Sequence, residues 1–384
     1  MKTIRRLLGL SAAIAMSCTS IPASAFEEEK YDLYVNGSQF TSVNLSIACG
    51  EGTAVFDGKD TLTLTDAFLD EPSGSPEGSF LYGVINSGLP DLKIVLVGEN
   101  VIDGRNNVND GIDSDGSCNV TITGPGSLEI KDAYYGTYIG YWEDPGADLT
   151  ITGGASVKVT EPSCAGIWVN HDITFDGCKA EIIKSDEGRY NGIVSNVGGT
   201  VTFTDSEVEV KTYCAALDLG NGDDTEHAIV VNSGTVTLES RSLPTDPDDR
   251  YNGVAVSCEP DGGSKETKCT LTVNGGILNI KAEGKCVDLP ADKIILGDGV
   301  TYIKGTSLTD GGNVIVGIDE EPAFPGDVDG NNRLNMKDLA TLQRYVNGWD
   351  VKINEKNADL TGEGKINMKD VAELQKLLNS LPPE

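Results

Sequence analysis

From residue 31 to about residue 316, apolar residues recur at every second position in runs of only a few residues, the pattern of brief, half-buried β-strands. One class of run reads Asn119-Val120-Thr121-Ile122, Asp148-Leu149-Thr150-Ile151, Asp172-Ile173-Thr174-Phe175, Thr200-Val201-Thr202-Phe203 and Thr270-Leu271-Thr272-Val273. A shorter class follows it, in Leu128-Glu129-Ile130, Val157-Lys158-Val159, Val208-Glu209-Val210 and Leu278-Asn279-Ile280. The remaining element joins a small residue to an aliphatic one. It occurs at Gly83-Val84, Gly111-Ile112, Tyr138-Ile139 (an imperfect copy), Gly166-Ile167, Gly192-Ile193, Ala216-Leu217, Gly253-Val254 and Cys286-Val287, at separations of 24 to 37 residues. Three short strands cannot bury a core by themselves, but stacked copies can. The expected fold is therefore mainly β, a right-handed parallel β-helix over residues 26–318, and a sandwich built from hairpins fits the spacing less well. Residues 31–35, Asn36-Gly37 and residues 38–42 read as a hairpin within a cap of residues 26–70.

The same alternation predicts which side chains leave the core. With Ile112, Ile167, Leu217 and Val287 inward, Asp113, Trp168, Asp218 and Asp288 fall on one outer face. That face is either a solvated acidic strip or a row of ligands for sugar hydroxyls, with Trp168 as a stacking platform. Tyr134, Tyr135, Tyr138, Tyr141 and Trp142 form a second cluster, divided between core and ligand contact. Asp110, Asp113 and Asp115 either face water or hold a cation. The longer repeats, around residues 221–226, 240–251 and 258–268, are further candidates for ligand contacts.

Near the C-terminus the pattern changes from period two to helical. Residues 327–338 are echoed 32 residues later by residues 359–370. Asp327, Asp329, Asn331, Asn335 and Asp338 place oxygen-bearing side chains at positions 1, 3, 5, 9 and 12 of a loop, and Arg333 places a backbone carbonyl at position 7. Asn332 stands at the sharp turn. The second loop repeats the scheme with Asp359, Thr361, Glu363, Lys365, Asn367 and Asp370, and Gly364 at the turn. Its short neutral Thr361 and longer Glu363 predict a weaker site. Acidic turns that merely cap helices are the alternative, but they do not account for two copies of one twelve-position pattern. After each loop, Leu339, Leu342 and Val346, then Val371, Leu374 and Leu378, keep an i, i+3, i+7 spacing, so each loop opens an amphipathic helix.

This duplicated loop-and-helix unit resembles the type I dockerin, and residues 353–359 resemble that family's short middle helix. The resemblance covers residues 324–384. It implies two Ca2+ ions, a cohesin module of a scaffoldin as partner, and attachment to a cellulosome. It also implies partner contacts at Met336, Lys337, Met368 and Lys369, with Arg344 and Lys376 on the following helices, arranged for two near-equivalent orientations. The two Met side chains could instead pack beneath the helices.

Lys2, Arg5 and Arg6, an apolar run over residues 7–16 and Ala23-Ser24-Ala25 read as a secretory signal over residues 1–25, with lipidation of Cys18 the lesser alternative. Its loss would move the formal charge from −31 to about −34, a balance that excludes nucleic acid and anionic lipid as partners. No apolar run predicts a membrane span, and a secreted, extracellular monomer is expected. Eight cysteines remain beyond the signal. Cys164 with Cys178 and Cys258 with Cys269 are the nearest pairs, and burial as small apolar residues is the alternative to disulfides. His171 and His227 stand alone.

The opening Tyr31-Asp32-Leu33-Tyr34-Val35-Asn36-Gly37 and phrases such as Leu149-Thr150-Ile151-Thr152-Gly153 make the body similar to carbohydrate-binding β-helix proteins of gut and cellulolytic bacteria. That resemblance implies a plant cell-wall polysaccharide as ligand and a place in polysaccharide catabolism. Parallel β-helices also carry pectate lyases and polygalacturonases. For a lyase acting on pectin or hemicellulose, Arg105 or Arg189 is the nearest candidate base. A hydrolase signature is absent, since Asp248-Asp249 lies in an insertion and neither His is flanked by Gly on both sides. Binding or adhesion is the expected role of the body, with no catalytic residue assigned and lyase activity the runner-up. Residues 319–323 read as a linker.

Overall fold

A computed structural model of the chain describes residues 28–75, 81–105, 109–141, 146–185, 187–188, 190–220, 225–242, 252–258, 268–318, 324–331 and 333–380. The expected signal at 1–25 and the linker at 319–323 lie outside the described residues. So do Trp142, Arg189, Asn332 and most of the three long insertions.

Among the described residues the strands fall into three sheets of ten, eleven and ten strands, and the chain visits the three in rotation. Each strand of a turn pairs in parallel with the strands of the turns before and after it, giving a β-solenoid of about seven turns. Like side chains therefore stack. In the second sheet Val120, Leu149, Ile173, Val201, Ile229 and Leu271 form one inward ladder, and Phe175 stacks on Phe203 with ring centroids 5.1 Å apart. In the third, Ile130, Val159, Ile182, Val210, Leu238 and Ile280 do the same. All are buried.

The first sheet corrects the register read from the small-aliphatic pairs. Its inward ladder runs Ile85, Ile112, Thr137, Ile167, Ile193, Leu217, Val256 and Val287. Val84, Ile139 and Val254 are displaced from it by one or two residues, because each lies beside another residue that could fill the position and only inter-turn hydrogen bonding selects between them. The small residue before the aliphatic one has a steric cause. A Cβ at Gly166 would lie 2.3 Å from Cγ2 of Ile182, and one at Gly192 would lie 2.2 Å from Cγ1 of Val210. The first sheet thus meets the aliphatic ladder of the third at a corner with no room for a side chain.

Both ends of the stack are closed by antiparallel strands, which hide edges that would otherwise template association. At the N-terminal end Lys30–Val35 and Ser38–Thr41 form a hairpin whose turn residues Asn36 and Gly37 both have positive φ (49° and 78°), as a two-residue hairpin of this hand requires. At the other end Gly312–Ile318 pairs antiparallel with Ile277–Ala282, a closure the sequence pattern does not announce. Cys258 and Cys269 form a disulfide, whereas Cys164 is not joined to Cys178. Cys49, Cys118, Cys178, Cys214 and Cys286 are buried thiols.

Beyond residue 324 the chain is helical. α1 (Met336–Val346), α2 (Glu355–Ala358) and α3 (Met368–Ser380) surround a separate small core of Val328, Leu339, Leu342, Ala358, Val371 and Leu374. Val346 and Leu378 pack at its margin. Among the described residues no helix is long and apolar enough to cross a membrane.

The corner packing gives a direct test. Gly192→Ala should destabilise the solenoid by about 1–3 kcal/mol, because its Cβ must displace Val210 within a close-packed interior. Urea unfolding followed by tyrosine fluorescence measures this, and an unchanged midpoint would contradict the corner geometry.

Candidate functional site

The two C-terminal loops are built by the same local device. Asn335 is the N-cap of α1: its Oδ1 accepts from the Lys337 amide at 2.8 Å, and Asp338 accepts from the Asn335 amide at 2.9 Å, a reciprocal capping box. Asn367 and Asp370 repeat these bonds at the start of α3, at 2.9 Å each. In both copies the position-9 Asn also donates from Nδ2 to the position-7 carbonyl, Arg333 O at 3.2 Å and Lys365 O at 3.1 Å. The position-12 acid therefore closes the loop and caps the helix together.

The loops differ in the oxygens they assemble. In the first, carboxylate oxygens of Asp327, Asp329 and Asp338 lie within 4.8 Å of one another, and Asp327 and Asp338 are buried. Three hard, negatively charged donors in so small a volume fit a hard divalent cation. The amide of Asn331 meets Oδ1 of Asp327 at 3.0 Å. In the second loop the Thr361 hydroxyl donates to Asp370 Oδ1 at 2.8 Å, and the Gly362 and Gly364 amides donate to Asp359 at 2.9 and 2.7 Å. Gly364 has the positive φ (73°) of a sharp turn. Glu363 turns to Lys369, 2.5 Å from its ammonium.

The residues assigned to partner contact lie at the surface around these loops. Met336 and Met368 are 61% and 59% exposed, which removes packing beneath the helices as their role. Lys337 reaches back to Asp329 Oδ2 at 2.7 Å, as Lys369 does to Glu363. The Lys337 hydrogen bond, and then its charge, hold the Asp329 carboxyl below the usual range. Arg344 lies over the ring of Trp349, and Lys376 pairs with Glu373 on its own helix.

On the solenoid, Asp113, Tyr138, Trp168, Val194, Asp218, Ser257 and Asp288 stand in register along the outer face of the first sheet. The face is not the solvated strip that alternation predicts. Asp113, Trp168 and Asp218 are only 2%, 4% and 4% exposed. Trp168 is the base on which Tyr138 stacks, centroids 4.3 Å apart, so it is no open platform. Asp218 accepts from Asn191 Nδ2 at 3.0 Å, and Asp288 pairs with Lys285 at 2.7 Å. Alternation reports which side of a strand a residue takes, but not whether other chain segments cover that side.

Where the first turns of this face begin, the structure forms a cavity of about 390 Å3, floored by Asp110 and Asp113 and walled by Tyr82, Tyr134, Tyr135, Tyr138 and Tyr141. The Tyr135 amide donates to Asp110 Oδ1 at 3.0 Å and the Tyr82 amide to Asp113 Oδ2 at 2.8 Å. Burial pushes the Asp110 carboxyl up to about 6. Burial, and then the charge of Asp110, push Asp113 well above the usual range. Arg105 does not join them, since its guanidinium binds the carbonyl and carboxylate of Asp70. Nor does His171 stand alone: stacking of turns sets its Nδ1 2.9 Å from Asp148 Oδ1 and 3.6 Å from Asp172 Oδ1. Sequence separation hid both groupings.

An acid whose folded pKa is raised binds its proton more tightly folded than unfolded, so its contribution to stability falls as pH rises from about 4 through about 6. The stability of Asp110→Asn relative to the parent should therefore grow by up to roughly 3 kcal/mol between pH 4 and pH 7. Denaturant titrations at both pH values check this, and a constant difference would place Asp110 in contact with water.

No curated protein and no solved structure matches the chain. Residues 325–379 match the family model described as the dockerin type I domain. The chain thus carries a C-terminal dockerin type I domain beyond a parallel β-solenoid of about seven turns.

Proposed function

We propose that this chain is a secreted component of a cellulosome, docked through its C-terminal domain and presenting a polysaccharide-binding solenoid. The observation that carries the docking is the duplicated loop-and-helix unit, matched over residues 325–379 to a module whose partner is cohesin. Calcium would be held in the first loop by Asp327, Asp329, Asn331, Asp338 and the Arg333 carbonyl. In the second it would be held by Asp359, Thr361, Glu363, Asp370 and the Lys365 carbonyl. Asn335 and Asn367, at position 9 of the two loops, belong to the same sets and also cap the helices that follow. Bound cations neutralise carboxylates that otherwise repel across a core of few apolar residues, so metal binding contributes to folding of this domain.

The docking surface is doubled. Met336 and Lys337 on one helix start match Met368 and Lys369 on the other, and both methionines are exposed. For cohesin to meet the lysines, their ammonium groups leave Asp329 and Glu363, a rearrangement favoured once a cation occupies the loop.

For the body, the tyrosines lining the cavity support carbohydrate contact, since Tyr82 and Tyr134 are exposed and sugars stack on such rings. Of the two candidate bases for a lyase, Arg105 is held by Asp70, and Arg189 lies outside the described residues. Binding is therefore the reading preferred for the solenoid.

In calorimetry with a cohesin, replacing Met336 and Lys337 together should leave affinity nearly intact, and replacing both Met-Lys pairs should abolish it, as should a chelator. Complete loss from one pair would exclude the two-way surface. For the body, the mature protein should be retarded in gels containing plant polysaccharide without releasing unsaturated, ultraviolet-absorbing product from pectin. Release of such product would replace binding with lyase activity.

A further inference from the structure

The cavity floored by Asp110 and Asp113 has a chemistry more specific than sugar stacking. We propose that it is a binding site for an organic ammonium group, as carried by an amino sugar or a small alkylammonium compound. The two carboxylates would act as anionic floor and the tyrosine rings as walls. This goes beyond retention on plant polysaccharide, which neither requires it nor follows from it.

Inter-turn register builds the site. Asp113 pairs with Asn86 on one side and Tyr138 on the other, while Asp110 lies opposite Gly83. A Cβ at Gly83 would come within 2.5 Å of Asn86 Oδ1 and 2.9 Å of Asp113 Cβ, so only glycine lets these side chains pack this closely beside the strand. Each carboxyl has one oxygen held by a backbone amide. Oδ1 of Asp113 is buried and has no hydrogen-bond partner among the described residues, although the residue is only 2% exposed and lines the cavity. A buried acceptor left unpaired is costly unless a ligand donates to it.

Among the described residues the cavity holds no countercharge of its own, since no Lys, Arg or His of theirs lines it. Two desolvated carboxyls side by side favour a ligand that brings positive charge, and they oppose uronate, sulfate or phosphate. The walls discriminate among cations. A calcium ion requires six to eight oxygen ligands, whereas ring faces offer it none. Those faces suit an ammonium group, which they attract through the ring quadrupole. Tyr134 and Tyr135 meet edge to face at 5.0 Å, Tyr135 and Tyr138 lie 4.9 Å apart, and Tyr138 is backed by Trp168, so the walls are preorganised. A neutral sugar could donate a hydrogen bond to Asp113, but it would leave the charge on the floor uncompensated.

The test uses the full chain, titrated at neutral pH with glucosamine and with tetramethylammonium, and in parallel with glucose, galacturonate and calcium chloride. Tyrosine fluorescence and calorimetry provide the readouts. Glucosamine should bind roughly tenfold more tightly than glucose, the gain of about 1.4 kcal/mol expected from the charge, and tetramethylammonium should compete with it. Asp113→Asn should reduce glucosamine affinity by roughly the same factor. Tyr82→Ala, at an exposed rim position, should weaken tetramethylammonium binding without touching the carboxyls, and it covers the case in which the Asp113 variant misfolds. Equal affinity for glucose and glucosamine, competition by galacturonate, displacement of glucosamine by calcium bound at this floor, or no saturation by either cation would overturn the proposal. Retention on plant polysaccharide is measured separately on the same protein, so failure of that reading would leave this result standing, and the reverse holds too.

Discussion

Everything in the body of this protein depends on turns lying in register upon one another. Each strand is too short to be stable alone and obtains its backbone hydrogen bonds only from the turns on either side. The bonds then dictate the side chains: once Ile112 lies over Ile85 and under Thr137, every inward and outward position of those turns is set. Closure by antiparallel strands at both ends follows from the same dependence, because a parallel stack leaves an open edge wherever it stops.

Stacking also concentrates like with like, with opposite consequences inside and out. Inside, identical aliphatic and aromatic groups form ladders at little cost, as with Phe175 on Phe203. Outside, charges gather at intervals of one strand spacing. On the third sheet this is relieved by alternation, with Lys158 between Glu129 and Glu181 and Lys179 between Glu181 and Glu207. Such exposed pairs each contribute little. On the first sheet Asp110 and Asp113 lie on one strand, the neighbouring turns set Gly83, Asn86 and Tyr138 beside them rather than a cation, and burial raises the pKa of both.

The C-terminal domain obeys another constraint. Its core is small, and its loops crowd buried acids: Asp327 and Asp338 in one copy, Asp370 in the other. Helix capping and loop closure draw on the same residue in each copy, since the position-12 acid joins the start of each helix to the closure of its loop.

The sequence by itself determined what is local. Period-two alternation located the strands, Asn36-Gly37 the hairpin, and the twelve-position spacing both loops and the helices they open, because each signal arises from residues within one turn or one loop. It even placed Asp113, Trp168, Asp218 and Asp288 on one line. Only the tertiary structure decided that this line is covered, that Ile85, Thr137 and Val256 rather than Val84, Ile139 and Val254 stand in the first sheet's ladder, and that the two methionines are exposed. It alone brought Tyr82 to Asp113 and His171 to Asp148, partners that lie a full turn apart along the chain. The reason is physical: alternation is a property of one strand, whereas register, cover and cavities arise from hydrogen bonds and contacts between strands that the chain order does not place side by side.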